Sequence, residues 1–284
     1  YDNLLTMMKA FHRVCGVKLP KPMKEMEDAG VIPVFVKLLD HPRVEIHNQV
    51  ILCMELLTDI AKSRKEKAVL SGIIPHLLKV IKKKHQLKQV ALRILCDLPI
   101  SIPAVRVELN KNRMVEFYVN TLSDLCWRPD ALTAIRFWLN AEPVKVGQKL
   151  ITIASLPKII SVCTSTKVFR QHAALILPTM RAMVAKSLPL NRALAGSPRF
   201  VESLVKRLEE PIQDDPLTMT IHQASVEITQ EICNKHHNLE ELNSRYKILK
   251  AVTAISENAR ESEKMRLWCL ARNCLTDIKK KLGL

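Results

Sequence analysis

The sequence predicts an all-α protein that folds as a right-handed α-solenoid, and three observations support this fold class. One apolar pattern returns along the 284 residues about every 41–45 positions. Six glycines and 4% aromatic residues are too few for the turns and strands of a β-sandwich or barrel. Apolar residues make up 48% of the chain, which is enough to fill an elongated core and argues against disorder.

The repeated pattern consists of a glycine, two apolar residues, a proline and a further run of apolar positions. It is clearest at 30–39 and 72–81, with weaker copies at 113–122, 155–163, 199–208 and 246–252. Gly30 and Gly72 can adopt the left-handed conformation that ends one helix, and Pro33 or Pro75 fits in the first turn of the next. This period is typical of armadillo and HEAT repeats, and the chain has room for about six of them.

The helix pattern predicts a single repeat domain over residues 1–284. We expect N-terminal cap helices in residues 1–29, core repeats in 30–238 and C-terminal cap helices in 239–284. Two prolines within 18–22 are expected to break the first helix. Long third helices of successive repeats are predicted at 44–62, 87–98, 168–184 and 217–234. In a solenoid of this kind, the third helices line the concave surface.

Polar residues on the outward face of these third helices are candidates for a partner-binding groove. In the helix at 87–98, the core face is formed at helical spacing by Leu87, Ala91, Ile94, Leu95 and Leu98. Gln89, Arg93 and Asp97 lie away from that face and are groove candidates. Arginines predicted on other long helices could join them: Arg128, Arg136, Arg170 and Arg181. The alternative is that some of these arginines only cover the next turn with their methylene groups.

The formal net charge of +16 predicts attraction to acidic partners, whether nucleic acid, anionic membrane or an acidic protein surface. Lys82, Lys83 and Lys84 form a candidate basic patch, with a solvated turn as the alternative. Because the basic clusters lack interleaved aromatic residues for stacking bases, nucleic acid is the less favoured partner. No apolar run reaches 18 residues, so no transmembrane segment is predicted.

The sequence contains no motif that predicts catalysis, a cofactor or a metal site. No phosphate-cradling glycine loop, nucleophile elbow or kinase catalytic loop is present. Eight cysteines are spread along the chain, and five stand singly in apolar runs predicted to be helical: Cys53, Cys96, Cys126, Cys163 and Cys233. Such residues behave as small apolar side chains. We therefore expect reduced, structural thiols and a cytosolic or nuclear location.

One stretch is more specific than the generic repeat. It contains Pro75-His-Leu-Leu, then Leu87-Lys-Gln, then Ile94-Leu-Cys-Asp. This stretch resembles the armadillo-type region that follows the kinase domain in the septation-initiation and mitotic-exit network kinases of fungi and amoebae. Plant MAP kinase kinase kinase epsilon belongs to the same group. Further similar stretches lie at 45–50, 127–138 and 190–195 leading into 200–208, so the resemblance covers roughly residues 30–210.

The resemblance implies a non-catalytic regulatory module of a serine/threonine kinase whose kinase domain lies outside this segment. Kinases of this family are recruited to spindle poles through a small Ras-like GTPase and its scaffold, which implies a cytoplasmic protein at the spindle pole body or division site. An acidic GTPase surface would complement the positive groove.

Two other function classes and one oligomeric state remain as alternatives at this point. They are an armadillo adaptor that binds extended peptides, a charge-driven binder of nucleic acid or anionic membrane, and a homodimer formed through the closing helices. The peptide adaptor is weakened because no asparagine ladder is visible: Asp59, Asp97 and Trp138 stand at the corresponding places.

Overall fold

The computed structural model describes residues 2–17, 20–82, 86–96, 98–164, 170–259 and 264–284. All regular elements in these ranges are helices, as the sequence predicts. The chain divides into two compact units, unit 1 at residues 1–114 and unit 2 at residues 115–284. The single domain over 1–284, with its caps and core repeats, therefore stays a prediction.

Unit 1 contains two complete three-helix repeats, α2–α4 and α5–α7, between a leading helix α1 and a trailing helix α8. Its helices are α1 (Asp2–Gly16), α2 (Pro20–Asp28), α3 (Val31–Leu38), α4 (Val44–Ile60), α5 (Lys62–Leu70), α6 (Ile73–Lys82), α7 (Lys88–Cys96) and α8 (Pro103–Lys111), with a 3₁₀ turn at Leu98–Ile100. Helix α1 packs along α4, and α4 packs along α7. The third helices of this unit therefore lie side by side.

Unit 2 contains three complete repeats, α11–α13, α14–α16 and α17–α19, which follow α9 and α10. These helices are α9 (Met114–Thr121), α10 (Arg128–Ala141), α11 (Pro143–Leu150), α12 (Leu156–Thr164), α13 (Arg170–Lys186), α14 (Leu188–Ala195), α15 (Pro198–Glu209), α16 (Pro216–Lys235), α17 (Leu239–Tyr246), α18 (Ile248–Asn258) and α19 (Met265–Leu282). The third helices α10, α13, α16 and α19 pack in succession.

Glycine and proline mark the helix boundaries as predicted. Gly30 has φ 72° and Gly72 has φ 92°, values that residues with a Cβ atom rarely adopt. Pro33 and Pro75 lie in the first turns of α3 and α6. Eight other helices also have a proline in the first turn, where a backbone N–H would have no partner within the helix: α2, α8, α10, α11, α12, α14, α15 and α16.

Several predicted boundaries require correction. Helix α2 begins at Pro20, so the two prolines start a helix instead of lying in a break, while Lys18 and Leu19 lie outside the described residues. Helix α4 ends at Ile60 because Ala61 is extended, and Lys62 already begins α5. The helices predicted at 87–98, 168–184 and 217–234 are observed as α7, α13 and α16, each with bounds shifted by one or two residues.

The core follows the predicted helical spacing. Leu87, Ala91, Ile94, Leu95 and Leu98 are all buried. All eight cysteines are free, and six of them are buried. Burial raises the pKa of the Cys53, Cys163 and Cys233 thiols to about 12, which keeps them protonated and unreactive. Cys126 is an exception to the prediction, since it is exposed in the turn before α10 and lies outside any helix.

Gly147 marks a close approach between α11 and the start of α14. A Cβ atom at this position would lie 2.5 Å from Ser187 Oγ. That hydroxyl caps α14 by accepting a hydrogen bond from the Leu190 N–H at 3.4 Å. Gly147→Ala should lower the free energy of unfolding by about 1–2 kcal/mol, because cap loss and overpacking together outweigh the helix-propensity gain of about 1 kcal/mol. Urea titration followed by tryptophan fluorescence measures this change.

The matched control is the same substitution in a Ser187→Gly background. Glycine at an N-cap costs only a few tenths of a kcal/mol and removes the clashing hydroxyl. In that background, Gly147→Ala should raise the stability instead. An equal loss in both backgrounds would show that Ser187 is not the cause.

Candidate protein-binding surface

The predicted site residues lie mostly on the third helices of the repeats. In unit 1, Arg93 on α7 donates from Nη1 to Glu55 Oε1 of α4 at 2.6 Å, and the Arg93 side chain remains 65% exposed. Gln89 is exposed one turn earlier on α7. Asp97 lies outside the described residues. The charge of Arg93 is therefore already met by a carboxylate of the preceding third helix.

The candidate basic patch is described only at its first residue. Lys82 is exposed as the last residue of α6. Lys83 and Lys84 lie outside the described residues, so the patch stays a prediction.

Arg128 is not a groove residue, and that prediction is wrong. It is the first residue of α10 and only 7% exposed. Its Nε donates to the Leu122 carbonyl oxygen at 2.8 Å, in the turn that precedes the helix. Burial lowers the pKa of its guanidinium. The side chain closes the turn between α9 and α10 and does not face a partner.

Arg136 lies on α10 with its guanidinium carbon 4.4 Å from the centroid of the Phe137 ring. The side chain is half-buried, and its Nε is buried without a hydrogen-bond acceptor. Within the described part of the chain, no carboxylate pairs with it. A partly desolvated guanidinium of this kind gains strongly from an external carboxylate.

Several charges on the third helices of unit 2 are paired within a helix or between neighbouring repeats. Arg181 of α13 binds Glu227 of α16 through two hydrogen bonds, Nε–Oε2 at 2.8 Å and Nη2–Oε1 at 3.3 Å. Gln230 of α16 donates to Asp277 Oδ2 of α19 at 2.6 Å. Lys235 joins Glu231 Oε2 at 2.7 Å and the Ala185 carbonyl oxygen at 2.7 Å. This row stabilises the stacking of repeats and neutralises both carboxylates of α16.

Arg170 lies apart from this row, at the first position of α13. It pairs with Asp215 Oδ2 at 3.7 Å and donates to Gln213 Oε1, both in the segment that leads into α16. It lines a cavity together with residues of α12, α15 and α16.

Two exposed apolar side chains on α13, Leu175 and Pro178, were not predicted from the sequence. Leu175 is 59% exposed, and Gln171 and Pro178 are exposed at the i−4 and i+3 positions of the same helix face. Apolar side chains at these outward positions were visible in the sequence once the buried face of α13 was placed. We define the partner surface as Leu175 and Pro178 together with Arg136 and Phe137 of α10, the helix that packs against α13.

The chain is similar to cytokinesis and cell-division proteins. It is 35% identical to the cytokinesis protein sepH of Emericella nidulans over 153 residues, which is 52% of this chain and 11% of that protein. It is 28% identical to the cell division control protein 7 of Schizosaccharomyces pombe over 204 residues, 68% of this chain and 19% of that protein. The MAP3K epsilon protein kinase 1 of Arabidopsis thaliana is 29% identical over 196 residues, 67% of this chain and 14% of that protein.

The chain is homologous to a region of the septation and mitotic-exit kinases. The resemblance predicted from the sequence is therefore confirmed. Each match covers part of this chain, and the chain spans less than a fifth of the length of these relatives. No family model matches the sequence.

Solved structures confirm the all-α repeat solenoid. An engineered protein superposes with a TM-score of 0.71 at 16% identity, covering 96% of this chain and 63% of that one. A designed armadillo repeat protein in complex with the peptide (KR)4 has a TM-score of 0.63 at 14% identity, covering 86% and 99%. At such identities the likeness shows the fold alone.

In the described ranges, no single helix is long and apolar enough to cross a membrane. Helices α13 and α14 taken together have sufficient length and apolar composition, but they are bent by 115° relative to each other. No group of three histidine, cysteine, aspartate or glutamate residues is placed to hold a metal ion within these ranges.

Proposed function

We propose that the chain is a non-catalytic regulatory module of a cytokinesis or mitotic-exit serine/threonine kinase, which docks a small Ras-like GTPase or its scaffold at the spindle pole. The homologues and the armadillo fold support a protein-binding regulatory module. The observation that carries the docking proposal is Arg136, a half-buried cation without a carboxylate partner in the described residues.

The partner surface combines an unsatisfied charge with apolar area. An acidic side chain of the partner would make charge-assisted hydrogen bonds to the Arg136 guanidinium. Leu175 and Pro178 would supply the apolar contact that the centre of an interface needs. The net charge of +16 would speed the encounter with an acidic GTPase surface.

The same charge argues against the ligand of the designed armadillo protein. That protein binds the basic peptide (KR)4. A chain with a net charge of +16 repels such a peptide. The places where an asparagine ladder would clamp an extended peptide are also filled otherwise, since Trp138 is buried in the core and Asp59 is exposed.

The first test is a pull-down of the purified chain against the Ras-like GTPase of the network, loaded with a GTP analogue or with GDP, at physiological salt. We expect binding that prefers the GTP form. Arg136→Glu should weaken it about tenfold or more, which corresponds to about 1.4 kcal/mol. The matched control is Arg192→Glu on α14, which makes the same charge change at an exposed first-helix position.

Two outcomes would contradict the proposal. If circular dichroism shows that the chain is folded and it binds the GTPase in neither nucleotide state, the GTPase is not its partner. The same assay with the scaffold then tests the second partner. An equal loss of binding for Arg192→Glu would show that the net charge of the chain, and not the partner surface, determines GTPase binding. Light scattering on the same sample measures whether the chain is a homodimer.

A further inference from the structure

A cavity of about 330 Å³ lies in unit 2 between the end of α12, the start of α13, α15 and the start of α16. Its wall carries three cationic side chains, Arg170, Lys206 and Arg207. Glu210 adds a carboxylate to the same wall. This cavity does not include the partner surface, because none of the residues that define that surface lines it.

Two of the three cations have no carboxylate partner in the described part of unit 2. Lys206 is exposed on α15 and forms no ion pair there. Arg207 is half-buried, and its Nη2 donates to the Cys163 carbonyl oxygen at 2.5 Å. That contact closes the end of α12 but leaves the positive charge uncompensated. Arg170 shares Asp215 with Thr218, whose Oγ1 donates to Asp215 Oδ2 at 2.5 Å. The cavity wall is therefore net positive.

Two buried polar atoms on the same wall are unsatisfied. His222 is 1% exposed, and its Nε2 lies 3.1 Å from the Glu210 carbonyl oxygen, so Nε2 carries the proton. Among the described residues, neither its Nδ1 nor Thr164 Oγ1 has a hydrogen-bond partner, and both atoms are buried. Leaving such an atom unpaired costs about 1–3 kcal/mol. The Thr164 hydroxyl can donate a hydrogen bond to an anionic ligand and recover part of that free energy. The unprotonated His222 Nδ1 is itself an acceptor, so it can be satisfied only by a donor group of the ligand.

We propose that this cavity binds the phosphate group of a phosphoserine or phosphothreonine in a protein partner. A phosphate monoester carries a charge of about −1.5 to −2 at pH 7 and three acceptor oxygens, which match two guanidinium groups and an ammonium group. The hydroxyl of Thr164, which has no hydrogen-bond partner among the described residues, offers a further hydrogen bond. The volume lies at the lower end of the range of about 300–1,000 Å³ for ligand sites, which suits one modified side chain.

The surroundings of the cavity favour a phosphopeptide over other phosphate carriers. The segment between α15 and α16 contributes an acidic rim: Glu210 lies on the wall and Asp215 Oδ2 lies 3.7 Å from Arg170 Nη1. This acidic rim repels a nucleic-acid strand or an anionic membrane, each of which brings many phosphates at once. The described cavity wall also has no phenylalanine, tyrosine or tryptophan on which a base could stack, and the ring of His222 is buried. A phosphopeptide can complement both: its single phosphate pairs with the cationic wall of the cavity, and basic residues beside the phosphate pair with the acidic rim.

The test uses fluorescence anisotropy of two labelled peptide libraries, each with degenerate positions around a fixed phosphoserine or phosphothreonine, and their unphosphorylated twins. The protein in the assay is the 284-residue chain at physiological salt. We expect the phosphorylated libraries to bind about tenfold more tightly or better, with selection for lysine or arginine next to the phosphorylated residue. Equal binding of phosphorylated and unphosphorylated libraries overturns the proposal.

Variants separate the cavity from the general positive charge. Lys206→Ala should weaken phosphopeptide binding at least about fivefold, and Arg207→Lys should do the same because it keeps the charge but loses the bidentate geometry. Arg199→Ala is the matched control, since Arg199 is exposed on the same helix but does not line the cavity. Circular dichroism verifies that each variant is folded.

Three results would count against the site. If Arg199→Ala weakens binding as much as Lys206→Ala, the phosphate is held by diffuse charge. If a single-stranded oligonucleotide displaces the phosphopeptide at equal phosphate concentration, the ligand is a polyanion. If vesicles containing an anionic phospholipid displace it equally well, the ligand is a lipid headgroup. Displacement by free O-phosphoserine, with no effect of these competitors, supports the proposal.

Discussion

Replacing Trp138 with alanine should lower the free energy of unfolding of unit 2 by about 3–5 kcal/mol, the range for truncating a large buried aromatic residue. Trp138 is 0% exposed, and its ring meets that of Tyr118 edge to face, with centroids 6.5 Å apart and planes at 80°. Such a pair contributes about 0.5–1.5 kcal/mol beyond area burial. The cavity left by the indole is too large for small shifts of α9 and α10 to fill.

Tryptophan fluorescence during urea titration reports this loss selectively. All three tryptophans, Trp127, Trp138 and Trp268, lie in unit 2, so the remaining two still follow its unfolding in the variant. Leu175→Ala is the control, because this leucine is 59% exposed and its truncation should change stability by less than about 0.5 kcal/mol. A similar loss for both variants would show that Trp138 does not anchor the core.

The repeat architecture could be read from the sequence because its determinants are local. Gly30 and Gly72 can adopt positive φ whatever surrounds them, and prolines are favoured in the first turn of a helix, although Pro178 lies inside α13. The same local rule led to an error at Pro20, where prolines that could end one helix instead begin the next. The division into two compact units had no such local signal, since it depends on how densely whole helices pack.

The candidate site was predicted less well, because whether an arginine is available to a partner depends on whether a carboxylate of another repeat already pairs with it. Arg93 and Arg181 were predicted as groove cations, but each is paired with a carboxylate of the preceding or following repeat, Glu55 or Glu227. The paired residues are 38 and 46 positions apart, close to the repeat period. Aligning the repeats and searching for opposite charges at that offset would have found both. Arg128 could not be excluded in this way, because its burial depends on the turn before α10.

Replacing Glu27 with glutamine should destabilise unit 1 by about 1.5–3 kcal/mol at pH 7, the range for hydrogen bonds to charged groups. Glu27 of α2 accepts from Arg64 Nε at 3.0 Å and from Lys67 Nζ at 2.6 Å, both in α5. The Arg64 side chain is only 8% exposed and that of Glu27 is 16% exposed, so solvent screens this pair weakly. Glutamine keeps the shape and one acceptor oxygen but removes the charge that these two cations require.

The stabilising effect of Glu27 should depend on pH in a defined direction. Hydrogen bonds from Lys67 and then Arg64 hold the pKa of the Glu27 carboxyl below its ordinary value of 4.5. A lowered carboxyl pKa contributes stability that is present above 4.5 and is lost as the pH falls through the lower folded-state value. The difference between the parent chain and Glu27→Gln should therefore be constant near neutral pH and shrink in acid.

Hydrogen exchange of peptides from α2 and α5 measures this, with the two proteins compared at each pH. Glu25→Gln on α2 is the control, because Glu25 is exposed and its replacement should leave exchange unchanged at every pH. A difference between parent and Glu27→Gln that persisted in strong acid would mean that the shape of the side chain, and not its charge, joins the first helices of the two repeats.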